Sequence, residues 1–189
     1  MRIAVFAWGS LIWDRRELAV AGAFNANGPL LPIEFCRVSG DGRLTLVVEE
    51  TFGTSCPTYF AVSASGDLDA AIENLRLREG MPSAKGVGFV DFASGKQSDR
   101  TNNRHPKAVA AIKIWTQANE FDAAIWTALA SNFHEPNKAG EPFSTGAAIR
   151  YLESLDAPRL GPALGYIRSA PPEVQTPVRT AVNTRWPEG

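Results

Sequence analysis

Two stretches of this chain carry residue types and spacings suited to chemistry. The first is the opening segment, where the apolar run Ile3-Ala4-Val5-Phe6-Ala7 breaks at Trp8-Gly9-Ser10-Leu11 and ends in Ile12-Trp13. Gly9 permits close approach to the backbone, and Ser10 adds a hydroxyl and an amide, so a small anionic group can sit on such a turn. The second is Glu79. Leu68, Ile72 and Leu75 recur at helical spacing, and Glu79 falls within roughly 20° of Ile72 around the same axis. A carboxylate there points toward the core, where its ionised form loses hydration and where an acid can take a proton and hand it back. The plainer explanation is an ion pair with Arg76 or Arg78, or a frayed last turn that lets the side chain reach water. A nucleophilic reading would use Ser10 or Cys36 with His105 or His134 as base. Ser10 lacks the Gly-x-Ser-x-Gly elbow, and Cys36 lies within an apolar run that reads as core.

These groups need elements to hold them. Residues 3–8 read as a strand apolar on both faces, which suits a central place in a sheet. Residues 14–27 are mixed in character and suit a short helical turn, and Gly28-Pro29 with Pro32 marks a bend. Residues 33–39 and 43–50 flank the hairpin signal Gly40-Asp41-Gly42, and 58–62 follows Cys56-Pro57 as a further strand. Asp67 is placed to cap a helix that Gly80 and Pro82 stop. Strands are predicted over 87–92 and 109–116, joined by a polar segment, 94–106, long enough for a lid or binding loop. Helices are predicted over 121–133 and 147–155. From Gly161 onward, Pro162, Pro171, Pro172, Pro177 and Pro187 predict an extended tail on the surface, able to clasp a partner subunit in a homodimer.

A chain of 189 residues suits one domain, and 44% hydrophobic with 21% charged residues is ordinary globular composition. A net charge of −1 gives no electrostatic reason to expect nucleic acid or an anionic membrane surface. Ser10 and Asp14 interrupt the N-terminal apolar stretch before a secretory h-region is complete, so a soluble, cytoplasmic protein is expected. Cys36 and Cys56 form no disulfide framework and read as buried thiols. His105 and His134 are the only histidines, and without Cys-x-x-Cys or His-x-x-x-His spacing no metal site is expected.

The segment Phe6-Ala7-Trp8-Gly9-Ser10-Leu11-Ile12-Trp13 resembles the glycine-serine-leucine loop of the γ-glutamyl cyclotransferase superfamily, closest to its ChaC-type branch. Tyr59-Phe60-Ala61-Val62, then Asp67 to Ala71, then Leu77-Arg78-Glu79-Gly80, is similar to that family's strand, short helix and catalytic Arg-Glu. The resemblance covers residues 3–92 and thins beyond. It implies an α+β domain over 1–189, a mixed and strongly curved sheet forming a small barrel with helices outside, and a Pro-rich extension from about 161. It implies that Glu79 is catalytic and that Ala7, Trp8, Gly9, Ser10 and Leu11 hold a γ-glutamyl group. The implied reaction is release of 5-oxoproline from a γ-glutamyl amine, amino acid or peptide, with no cofactor. Trp8 stands where the family has tyrosine and Ala7 where it has glycine. Those departures bear on the substrate, and they leave open a non-catalytic binding or interaction module on the same fold.

Overall fold

Ile3–Ala7 forms the central strand that its apolar run predicts, with all five residues buried. In the computed structural model, which describes residues 1–187, the strands follow the chain as β1 (Ile3–Ala7), β2 (Val20–Asn25), β3 (Leu31–Val38), β4 (Leu44–Val48), β5 (Thr54–Cys56), β6 (Tyr59–Ser63), β7 (Val87–Asp91) and β8 (Ala123–Thr127). The helices are α1 (Leu68–Arg78), α2 (Asp99–Arg104), α3 (Pro106–Ala118), α4 (Thr145–Glu153), α5 (Ala157–Arg168) and α6 (Pro177–Arg185). The chain divides into two compact units, Met1–Leu31 with Pro57–Leu129, and Pro32–Cys56 with the chain from Ala130 onward. Among the described residues, no helix is long and apolar enough to cross a membrane.

The first unit is a five-stranded sheet in the order β2-β6-β1-β8-β7. β1 runs antiparallel to β6 and parallel to β8. Alternate residues of β1 serve two cores. Ile3, Val5 and Ala7 pack with Ala71, Leu75, Val87 and Ile125 beneath α1, while Phe6 meets Trp115 of α3 edge-on at 5.1 Å. The second unit holds the three-stranded sheet β4-β3-β5 with α4, α5 and α6. The 33–50 hairpin forms as predicted, with β3 and β4 antiparallel.

The chain is a mixed α+β protein, but the small barrel is not formed. Closure needs the first and last strands of a sheet to pair, and here β2 and β7 end the five-stranded order as separate edges. Five element assignments also differ. Residues 20–25, within the segment expected to form a short helical turn, are strand β2, held antiparallel to β6, a partner remote in sequence. Residues 109–116 lie inside α3, where Val109, Ile112 and Thr116 are buried at helical spacing behind Pro106, a residue suited to a first turn. Residues 123–127, expected to be helical, form β8. Its first four residues are buried, and a short apolar run of that kind carries no periodicity to separate strand from helix. The polar segment 94–106 contains α2.

The Pro-rich tail is helical over α5 and α6 rather than extended. Pro177 opens α6, where its missing N–H costs nothing. From α6 the buried Arg179 guanidinium donates to the carbonyl of Arg168 at the end of α5 and to those of Ala170, Pro171 and Val174 between the helices, giving the Pro-rich stretch a folded anchor.

Candidate functional site

The site is built on α1 and on the turn after β1, both in the first unit. Asp67 caps α1, its carboxylate accepting the Ala70 N–H at 2.8 Å. At the other end Glu79 is the last cap residue, and Gly80 takes φ +63°. The Gly80 N–H donates to Leu77 O and the Met81 N–H to Arg76 O, both at 3.0 Å, which is a Schellman stop. Glu79 is thereby fixed where the helix ends and the chain reverses.

The buried stripe of α1 differs from the predicted one by a single step. Its fully buried positions are Ala71, Leu75 and Arg78, while Leu68 and Ile72 of the predicted stripe are half-buried and pack against the same core, and Glu79 is half-buried at the helix end. Arg78 is therefore the charged residue that enters the core, its side chain 4% exposed against 17% for Glu79. One guanidinium nitrogen of Arg78 donates to the Glu79 carboxylate. The other donates to the backbone carbonyl of Asp14 and lies 3.4 Å from Ser10 Oγ. Four residues earlier on the same helix face, Asn74 holds the chain that follows the turn, donating to Glu17 O at 3.0 Å and accepting the Ala19 N–H at 2.8 Å. The ion pair expected between Glu79 and Arg76 or Arg78 forms with Arg78. The reach of Arg78 to the turn after β1 was not anticipated, because a bond to a backbone carbonyl leaves no mark in a pattern of residue types.

The turn closes through Ile12 N–H to Gly9 O at 3.0 Å and Asp14 N–H to Ser10 O at 2.7 Å. Ala7, Trp8 and Leu11 are buried, while Gly9 and Ser10 are half-buried. Of the five predicted binding residues, Gly9 and Ser10 are thus the ones with appreciable exposure, and the other three shape the turn from below. Among the described residues, no hydrogen bond occupies the amides of Gly9, Ser10 or Leu11. Backbone amides on a turn are donors that a carboxylate or an oxyanion can use.

The nucleophilic alternative draws on both units, Ser10 and His105 in the first and Cys36 and His134 in the second. Cys36 sits in β3 of the second unit, and burial pushes its thiol up to about 12. His134 is exposed in the second unit, and His105 is buried at the junction of α2 and α3 in the first. The polar segment 94–106 lines a cleft of about 590 Å³ through Gln97, Ser98, Asp99 and Arg100, against Val87 and Phe89.

The chain matches no protein-family model, no curated protein and no solved structure.

Proposed function

We propose that this protein is a γ-glutamyl cyclotransferase-like enzyme. The observation that supports this most is the meeting of the turn after β1 with Glu79, two segments far apart in sequence that share the guanidinium of Arg78. A γ-glutamyl compound carries its own nucleophile. Its α-amine attacks the γ-carbonyl, a new C–N bond closes a five-membered ring, and the bond to the departing amine breaks to leave 5-oxoproline. Tethered attack of this kind reaches effective molarities on the order of 10⁵ to 10⁸ M, so no protein nucleophile, metal or cofactor need be invoked.

Two tasks fall to the protein. The Glu79 carboxylate takes the proton released as the α-amine adds and returns it to the departing amine, so the proton count balances across the reaction. The amides of Gly9, Ser10 and Leu11 supply donors for the substrate α-carboxylate or the developing oxyanion. Glu79 follows α1 and the turn follows β1, and Gly9, Ser10 and Glu79 are half-buried, so each keeps some exposure to solvent.

The test is release of 5-oxoproline from a panel of γ-glutamyl amino acids, γ-glutamyl amines and glutathione. Glu79→Gln keeps the shape of the side chain and removes the shuttle, so it is expected to abolish turnover while the protein still folds. Turnover of Glu79→Gln at the wild-type rate sinks the mechanism. The existing Arg78–Glu79 ion pair favours one competing reading, in which the carboxylate is structural and the fold only binds. Binding of a γ-glutamyl compound with no 5-oxoproline released by the wild type is the outcome that selects it.

A further inference from the structure

We infer that Arg78 is a positioning residue for this site, holding the Glu79 carboxylate in register with the turn that receives the substrate. The inference rests on the γ-glutamyl cyclotransferase reading and adds to it a residue that never touches the substrate.

The argument begins with an energetic oddity. A guanidinium whose side chain is 4% exposed has lost most of its hydration, and its Nε is buried with no hydrogen-bond partner among the described residues. Burying a charge with one donor unmade is costly, and a leucine or methionine on the stripe of Ala71 and Leu75 would fill the position without that cost. What an apolar side chain cannot do is grip two places at once. The two terminal nitrogens of Arg78 point to different segments, one to Glu79 on its own helix and the other to the Asp14 carbonyl and Ser10 across the turn. The planar guanidinium fixes the distance and angle between those partners.

That geometry matters because tethered attack depends on alignment. The substrate's reacting atoms are placed by the turn, and the proton leaves and returns through Glu79. A base displaced by about 1 Å costs on the order of a hundredfold in rate. Lysine offers a single ammonium and cannot hold both partners in a plane, so Arg78→Lys keeps the charge and loses the brace. Asn74 bonds the same segment independently and keeps the turn attached in such a variant.

The experiment compares wild type with Arg78→Lys and Arg78→Met in the 5-oxoproline assay, with thermal melts as the check on folding. In parallel, carboxylates are coupled to an amine with a water-soluble carbodiimide and the modified sites mapped by mass spectrometry. Arg78→Lys is expected to melt close to wild type, to lose about tenfold to a hundredfold in kcat, and to keep KM within about threefold. Labelling of Glu79 should rise in Arg78→Lys while that of Glu73 does not. If Arg78→Met fails to fold, the lysine variant alone carries the comparison. The inference is overturned by a lysine variant with wild-type kcat, by a loss confined to KM, or by Glu79 labelling that does not change. In those cases an active wild type leaves the cyclotransferase reading standing. A wild type that releases no 5-oxoproline overturns the reading itself, and Arg78 is then a structural clamp.

Discussion

Gly88 and Trp126 stand directly opposite each other in the β7–β8 ladder, and the indole lies over the glycine. A Cβ at position 88 would sit 2.3 Å from Trp126 Cε2 and 2.5 Å from its Nε1. Trp126 is among the largest fully enclosed side chains, so the ring has nowhere to move. It also pairs in register with Phe6 of β1, the strand that delivers the turn of the site. Gly88→Ala is therefore expected to destabilise the protein by about 1 to 3 kcal/mol through overpacking. Chemical denaturation measures the loss. The assignment to this contact is checked in a Trp126→Leu background, where the same glycine substitution should cost much less, because neighbouring substitutions that share a clash are not additive.

Gly80 gives a different kind of prediction, since nothing lies within 4 Å of a Cβ added there. The cost of Gly80→Ala comes from φ +63° alone, a left-handed conformation worth roughly 1 to 2 kcal/mol against a residue with a Cβ. Gly80→Asn should cost less, because asparagine tolerates that region better. Equal losses for the two variants in urea melts would show that something other than backbone conformation is at work. The residue before it is Glu79, so the alanine variant also loosens the helix stop that fixes the carboxylate, and its 5-oxoproline release should fall along with its stability.

The legible parts of this fold are those where one local force has no rival. β1 was readable because every position is apolar, and α1 because Asp67 and Gly80 mark its ends chemically. β8 was not. Ala-Ala-Ile-Trp-Thr is short and apolar throughout, and its strand conformation comes from pairing with β1 and β7, partners remote in sequence. α3 was misread because its Val and Ile content favours strand, while burial at Val109, Ile112 and Thr116 follows the helical repeat. The tail was misread by counting prolines without asking where they stand, since Pro177 occupies a first turn that tolerates it. In the site, the turn and Glu79 were legible from residue type. Arg78 was legible only as an ion-pair partner of Glu79; its hold on the turn was not, because that contact is to a backbone carbonyl that no sequence pattern displays.

Glu34 predicts a pH dependence of stability in the second unit. It is buried in β3, where its carboxylate accepts the Phe35 N–H at 2.7 Å and the Val178 N–H at 3.4 Å near the start of α6. Burial raises its pKa above the usual carboxylate value of 4.5, and the bonds from Thr176, Phe35 and Val178 only partly offset that. The folded state then holds a proton that the unfolded chain has released. The contribution of Glu34 is full below 4.5 and declines as pH rises through the elevated folded value. Thermal melts taken from acid toward neutral pH should show this decline, and Glu34→Gln should flatten that part of the profile. A glutamine variant with the same slope assigns the dependence to another group.

The two thiols supply the sharpest check on whether any covalent chemistry runs through cysteine. Burial is the main cause that raises both, with Cys36 pushed up to about 12 and Cys56 moved in the same direction. At pH 8 a thiol titrating near 12 is ionised in about one molecule in ten thousand, and the thiolate is the species that reacts. Iodoacetamide should therefore leave Cys36 of the native protein unmodified on the timescale in which free cysteine reacts fully. Its alkylation should instead follow global unfolding, rising across the denaturant range where the fold is lost, with Cys56 behaving similarly. Rapid native-state labelling of Cys36 accompanied by loss of 5-oxoproline release would reverse the assignment, making the thiol a participant in the chemistry and moving the site from α1 to β3. Slow labelling with full activity retained places cysteine outside the reaction and leaves the proton-shuttling carboxylate as the group to test.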